Sequence, residues 1–216
     1  RSFLIVGGGT AGWIAAAVLS RLVDPARTRI TLVESDEIGI VGVGEATVPV
    51  IRTLHGLLGI DENAFVAATN GSFKLGIEFR DWGERGNVHF HGFGDHGDTI
   101  EGVAPHHHWL RLHNARDEAP IEDYSLPCAL GRRGRFAPPA PQASDFNYAY
   151  HFDAALYARF LRQLSTARGV TRVEGRIVAS ARHGESGDIA SVTLADGRVL
   201  EADFFVDCSG FHGVLT

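Results

Sequence analysis

Three glycines at fixed spacing, Gly7, Gly9 and Gly12 in the run Gly7-Gly8-Gly9-Thr10-Ala11-Gly12, are the first residues here that could do chemistry. In a G-x-G-x-x-G turn the first glycine makes the tight bend, the second lets backbone approach a pyrophosphate, and the third lets helix and strand pack closely. Thr10 and Ala11 lie in this turn, among the expected cofactor-binding residues, and the helix that follows would face the phosphates with its free N–H groups and partial positive charge. Glu34, about twenty residues further on, can accept from the hydroxyls of an adenosine ribose. A second candidate is Lys74. The alternation Phe73/Leu75/Ile77/Phe79 buries one strand face and leaves Lys74 on the other with Gly76 and Glu78, where a solvated surface charge is the ordinary outcome. The run His106-His107-His108 invites a metal, but adjacent histidines cannot all face one ion and no carboxylate spacing accompanies them, so no metal is expected. Cys128 and Cys208 lie far apart and form no C-x-x-C pair, which indicates neither a disulfide framework nor a zinc site.

These residues need elements to hold them. Residues 3–6 form a short apolar run of the kind found in a buried parallel strand, and a helix is expected over 13–22. Residues 29–34 read as a second strand ending in Glu34, completing a β–turn–α–β unit. The stretch 36–50 is a glycine-studded loop, followed by helical spacing over about 49–58 and 62–69. Residues 83–147, rich in Gly, Pro and His with little periodicity, suggest long loops over a site rather than a second packed core. An amphipathic helix is expected over 153–167, with Leu156, Phe160, Leu161 and Leu164 at three- and four-residue steps. The pattern then reads as strands over 171–178, 189–194, 199–202 and 204–206, with a hairpin turn at Asp196-Gly197.

With 216 residues, 44% hydrophobic and 21% charged, the chain can bury a core. Its net charge of −6 offers no basic face for a phosphate backbone, so nucleic acid is not an expected partner. No apolar run approaches the roughly 18 residues of a membrane span, and the apolar start runs into glycines rather than a signal cleavage site; a cytoplasmic location without membrane association is expected. The chain contains no methionine and stops at Thr216, soon after a strand-then-glycine motif that normally leads onward. It reads as a single, incomplete domain spanning residues 1–216.

Two resemblances narrow the chemistry. Residues 203–210 resemble the late strand of glutathione-reductase-type flavoproteins, where acidic and small residues at a strand end lie near the flavin. That favours FAD over NAD, places Asp207 and Gly210 in the cofactor site, and implies an α/β Rossmann-type FAD-binding fold of the glutathione-reductase-like flavin monooxygenase superfamily. The whole chain is similar to the flavin-dependent tryptophan halogenases. The turn continuing into Trp13, the segment from Gly42 to Pro49, the segment 70–77 with Phe79 and Trp82, the run from Tyr150 to Asp153 and that from Asp207 to Gly210 follow the family's order. The resemblance puts the catalytic lysine at Lys74 and makes Gly44, Glu45 and Ala46 part of a strap over the flavin. Glu45 there could contact flavin or cap the helix after Pro49. His91 and Phe93 match positions that line the substrate pocket and flank an indole by stacking.

The resemblance further implies that a separate flavin reductase supplies FADH2, which with O2 and a bound chloride or bromide yields hypohalous acid. That acid passes inside the protein to the lysine for attack on a small aromatic substrate such as tryptophan or another indole. A homodimer is left open. The family's Trp-x-Trp-x-Ile-Pro motif and its partner glutamate do not occur in these residues and would follow Thr216 in family order. Two rival readings stand beside this one: a hydroxylating flavin monooxygenase, independent of Lys74, and a catalytically silent FAD-binding module.

Overall fold

The computed structural model describes residues 1–38, 44–116, 119–139 and 146–215. In chain order the elements are β1 (Ser2–Val6), α1 (Thr10–Leu22), β2 (Arg29–Glu34), β3 (Gly44–Ala46), α2 (Val50–Leu58), α3 (Glu62–Ala68), β4 (Ser72–Lys74), β5 (Gly76–Arg80) and β6 (Val88–Gly92). There follow α4 (Pro105–Arg116), α5 (Leu126–Arg132), β7 (Ala149–Asp153), α6 (Ala154–Ala167), β8 (Thr171–Glu174), β9 (Ile177–Arg182), β10 (Ile189–Leu194), β11 (Val199–Glu201) and β12 (Phe204–Asp207). The chain divides into two compact units, one of Arg1–Glu45, Leu54–Gly71 and Phe152–Thr216, the other of Ala46–Thr53 and Ser72–His151.

In the first unit a parallel sheet runs in the order β12-β1-β2-β8. Leu4, Ile5 and Val6 are all buried, as a strand covered on both faces requires. Period-two alternation sends Leu4, Val6 and Val33 to one face, where they meet Val192 and Leu194 of β10 in a single apolar cluster. Helix α1 packs on β1, β2 and α6. Helix α6 starts where Asp153 accepts from the backbone N–H of Leu156 at 2.9 Å, capping the first turn. The expected strand over 171–178 is two strands: β8 joins the parallel sheet, while β9 joins an antiparallel sheet ordered β11-β10-β9. Its β10–β11 hairpin turns at Gly197, whose φ of +87° suits a glycine.

The second unit corrects the expectation of bare loops over 83–147. Strand β6 pairs antiparallel with β5, and α4 and α5 follow. The sequence PHHHWLRLHNAR of α4 has no apolar stripe, so its helix left no periodic trace in the sequence. Strand β4 pairs antiparallel with β7, with Phe73 opposite Tyr150 and Lys74 opposite Ala149. Phe73, Phe136, Tyr148 and Tyr150 form an aromatic cluster there, Phe73 and Phe136 stacking at 3.9 Å.

Candidate functional site

In the first unit, β1 sends the chain outward to β2 and β8 on one side, and the later β12 returns on the other. The carboxyl ends of β1 and β12 therefore flank a point where the strand order reverses, the place where open α/β sheets bind ligands. Gly7 sits there with φ +108°, and a Cβ on it would lie 2.4 Å from the carbonyl oxygen of Cys208. A Cβ on Gly12 would lie 1.9 Å from the Gly7 oxygen, so α1 is seated directly on the turn. Gly9 differs. Its φ of −72° suits any residue and its missing Cβ would meet no protein atom within 4 Å. The space over Gly9 is thus open to a ligand. Above it α1 begins without a side-chain cap and without an acidic residue in its first turn, leaving N–H donors for an anion. The turn therefore fits the pyrophosphate of a dinucleotide.

Glu34 closes β2 beside this turn, but its carboxylate is already engaged. Oε1 accepts from Arg172 Nε at 2.5 Å and Arg162 Nη1 at 3.4 Å, and Oε2 accepts from Trp13 Nε1 at 3.2 Å. A carboxylate has about four acceptor positions, so one remains on Oε2 for a ribose hydroxyl. Burial alone would lower the Arg172 pKa, yet the hydrogen bond and charge of Glu34, with Asp36 and Glu174, raise it. The sequence reading missed Trp13, Arg162 and Arg172 as supports of Glu34. The β2–β8 pairing, Leu32 opposite Arg172, brings Arg172 there and has no local signature.

Asp207 ends β12. Its Oδ1 accepts from the Ser209 N–H at 2.8 Å and the Ser209 hydroxyl at 2.5 Å, and its Oδ2 from the Leu215 N–H at 2.9 Å. Burial pushes its carboxyl up, but these hydrogen bonds outweigh burial and hold it below the usual range. It thus shapes the turn through Gly210, which has φ +66°. Thr10 and Ala11 are the first two residues of α1. Gly44, Glu45 and Ala46 form β3; residues 39–43 of the glycine-studded stretch, Gly42 included, lie outside the described residues.

In the second unit Lys74 is only 7% exposed, against the expectation that it shares a solvated face with Glu78. The reason is that β4 ends at Lys74 and β5 begins at Gly76, with different partners, so the alternation does not run through Leu75. Lys74 Nζ donates to the Thr47 carbonyl at 2.8 Å and stands 5.5 Å from the centre of the Phe93 ring. Burial lowers its pKa from the ordinary lysine value. The His151 imidazole on β7 is also pushed down, first by burial and then by the charge of Lys74. His91 and Phe93 lie 6.4 Å apart with rings at 81°, so they offer an edge and a face rather than two parallel walls. Phe93 is buried at the lysine; His91 is exposed.

His106, His107 and His108 fall in the first turns of α4, and among the described residues no group of three His, Cys, Asp or Glu is arranged to hold a metal ion. A hollow of 390 Å³ lined by Arg1, Arg27, Arg29 and Arg168 lies at the amino ends of β1 and β2, and contains none of the residues above. Among the described residues no helix is long and apolar enough to cross a membrane.

Sheet, glycine turn and acidic strand end define a Rossmann-type dinucleotide-binding fold of the flavoprotein kind. The chain belongs to the tryptophan halogenase family, which it matches over residues 2–216. It is similar to tryptophan 7-halogenase RebH of Lentzea aerocolonigenes, at 38% identity over 98% of this chain and 43% of that one. With tryptophan 6-halogenase SttH of Streptomyces toxytricini the identity is 33%, over 98% of this chain and 44% of that one. Among solved structures, BrvH, a flavin-dependent halogenase from Brevundimonas sp. BAL3, superposes with a TM-score of 0.91 at 43% identity, over 100% of this chain and 43% of that one. A flavin-dependent halogenase from Xanthomonas campestris superposes with a TM-score of 0.92 at 48% identity, over 98% of this chain and 42% of that one. The chain thus spans less than half the length of these relatives.

Proposed function

We propose that this chain carries the FAD site and the catalytic lysine of an enzyme that halogenates an electron-rich arene, tryptophan or another indole, using FADH2, O2 and chloride or bromide. The observation that carries it is the buried Lys74 ammonium, fixed by a backbone carbonyl beside an aromatic ring. Gly7, Gly9, Gly12 and the start of α1 would hold the pyrophosphate, Glu34 the ribose, and Gly44, Glu45, Ala46, Asp207 and Gly210 the flavin portion. Bound reduced flavin supplies, with O2 and halide, the hypohalous acid. A separate reductase provides the FADH2, and a cytoplasmic location suits that supply.

The protein's own part is to place the oxidant. Lys74 has three N–H donors, of which the Thr47 carbonyl takes one. Another donates to the oxygen of hypohalous acid, weakening the oxygen–halogen bond. The arene's π electrons form the carbon–halogen bond as that bond breaks; the hydroxide released takes a proton, and the ring loses one to recover aromaticity. Phe93 and His91 would orient the ring. Burial also eases loss of the lysine proton, and the neutral amine could itself take the halogen.

The test uses the full-length polypeptide with a flavin reductase, NADH, FAD, O2 and bromide or chloride, with products read by mass spectrometry beside Lys74→Ala. Halogenated tryptophan or indole is expected, falling by about a hundredfold or more in the variant while FAD binding is kept. Oxygenated product without halide would assign a hydroxylase. FAD binding with no halide-dependent turnover would leave a silent flavin module.

A further inference from the structure

Thr47 holds Lys74's backbone partner in place through its own side chain. Its hydroxyl donates to the Tyr150 carbonyl at 2.9 Å and accepts from the Tyr150 N–H at 3.1 Å. Its backbone N–H donates to the same carbonyl at 3.0 Å. Three hydrogen bonds thus tie residue 47 to the main chain of β7, at a tyrosine that is 1% exposed. Strand β7 is also the partner of β4, with Phe73 opposite Tyr150 and Lys74 opposite Ala149. The acceptor and the lysine are therefore fixed to one ladder, and the remaining polar atom of Thr47, its carbonyl oxygen, meets Lys74 Nζ at 2.8 Å.

Resting on the halogenase reading above, we propose that Thr47 is a positioning residue for Lys74: its hydroxyl locks the carbonyl that orients the ammonium toward the oxidant and arene. An untethered lysine side chain has several rotatable bonds and would sample many directions. Capturing one N–H on a fixed carbonyl leaves two at defined angles. Without the hydroxyl, residue 47 keeps one of its three hydrogen bonds to Tyr150, its carbonyl is held less firmly, and the lysine turns with it. Both hydrogen bonds of the hydroxyl go to the main chain of Tyr150, so the defect is expected in delivery rather than in oxidant production.

Thr47→Ser keeps the hydroxyl; Thr47→Ala removes it, and Thr47→Val removes it at nearly constant shape. In the full-length enzyme, halide-dependent oxidant production is measured with a soluble enol scavenger such as monochlorodimedone, and arene halogenation in parallel by mass spectrometry. The Ala and Val variants are expected to halogenate the arene about tenfold less or worse, with undiminished oxidant reaching the scavenger and the Ser variant close to wild type. In a Lys74→Ala background, Thr47→Ala is expected to cost nothing further, because its effect runs through the lysine. Equal arene yield in wild type, Ala and Val would overturn the proposal, as would a full additional loss in the double variant, which marks a purely structural role. If Ala and Val both fail to fold while Ser folds, the hydroxyl is a folding element and the proposal is likewise overturned. Wild-type enzyme without any halogenated product would instead overturn the halogenase reading itself.

Discussion

At the scale of single residues, the glycines of the first turn do unequal work. Gly7 and Gly12 are fixed by protein atoms, the Cys208 carbonyl and the Gly7 carbonyl, whereas Gly9 faces open space. Gly9→Ala should therefore leave the thermal midpoint close to wild type, within the ~0.5 kcal/mol usual for an unobstructed site, and weaken FAD binding at least about tenfold. Gly12→Ala should yield little folded protein. Flavin fluorescence titration with a thermal melt decides both; undiminished FAD binding by Gly9→Ala would remove the pyrophosphate from this turn. The spacing of these glycines was legible in the sequence because a backbone requirement admits only one residue type. Other features were not. A Cβ on Gly8 would sit 1.5 Å from Glu34 Oε2, a constraint set by a contact across the sheet rather than by spacing. Lys74 was placed on the wrong face because one alternation was carried through Leu75, where the chain in fact changes strand partners. The Thr47 carbonyl that holds it belongs to a segment 27 residues away, which no local pattern shows.

At the scale of elements, α2, α3 and α6 share an aromatic knot. His55 Nε2 and the Tyr157 hydroxyl lie 2.9 Å apart, and the His55 ring meets Phe65 edge-on at 4.5 Å. Burial lowers the His55 pKa to about 4, only partly opposed by Glu62, and raises that of Tyr157, so both stay neutral. A histidine whose folded pKa lies below its unfolded value of about 6.5 binds its proton more readily when unfolded. Its stabilising effect is therefore complete above about pH 6.5 and is lost as pH falls toward about 4, by about 3 kcal/mol in full. Urea midpoints of the full-length protein between pH 7 and 4.5 should fall more steeply for wild type than for His55→Gln; parallel slopes would dismiss His55 as the cause. Helix α6 shows what its pattern could and could not convey. Its extent was readable from Leu156, Phe160, Leu161 and Leu164, but the deepest side chains are Tyr157, Ala158, Leu161 and Ser165. Helices α1 and α6 pack together, and both bury alanines, Ala16 and Ala17 on one and Ala158 on the other, which a hydrophobic scale underrates.

At the scale of the whole molecule, the two compact units are interleaved in sequence: the first takes three segments of the chain and the second takes two. No shift in composition marks the crossings, since each segment supplies buried apolar residues to its own unit, and this is why the sequence read as one α/β domain with loops. The proposed chemistry divides along the same lines. Gly7, Gly9, Gly12, Glu34 and Asp207 belong to the first unit, and Thr47, Lys74, His91 and Phe93 to the second. ADP carries the pyrophosphate and ribose but no isoalloxazine, so its contacts should be confined to the first unit. Hydrogen–deuterium exchange with saturating ADP should slow the amides of 7–12 and of the β2 and β12 carboxyl ends, where protection follows ligand-linked stability. Amides of 72–80 and 88–93 should exchange at unchanged rates. Slowing of equal size around Lys74 would mean that the adenosine half does not lie on the glycine turn, and the assignment of Glu34 to the ribose would fall with it.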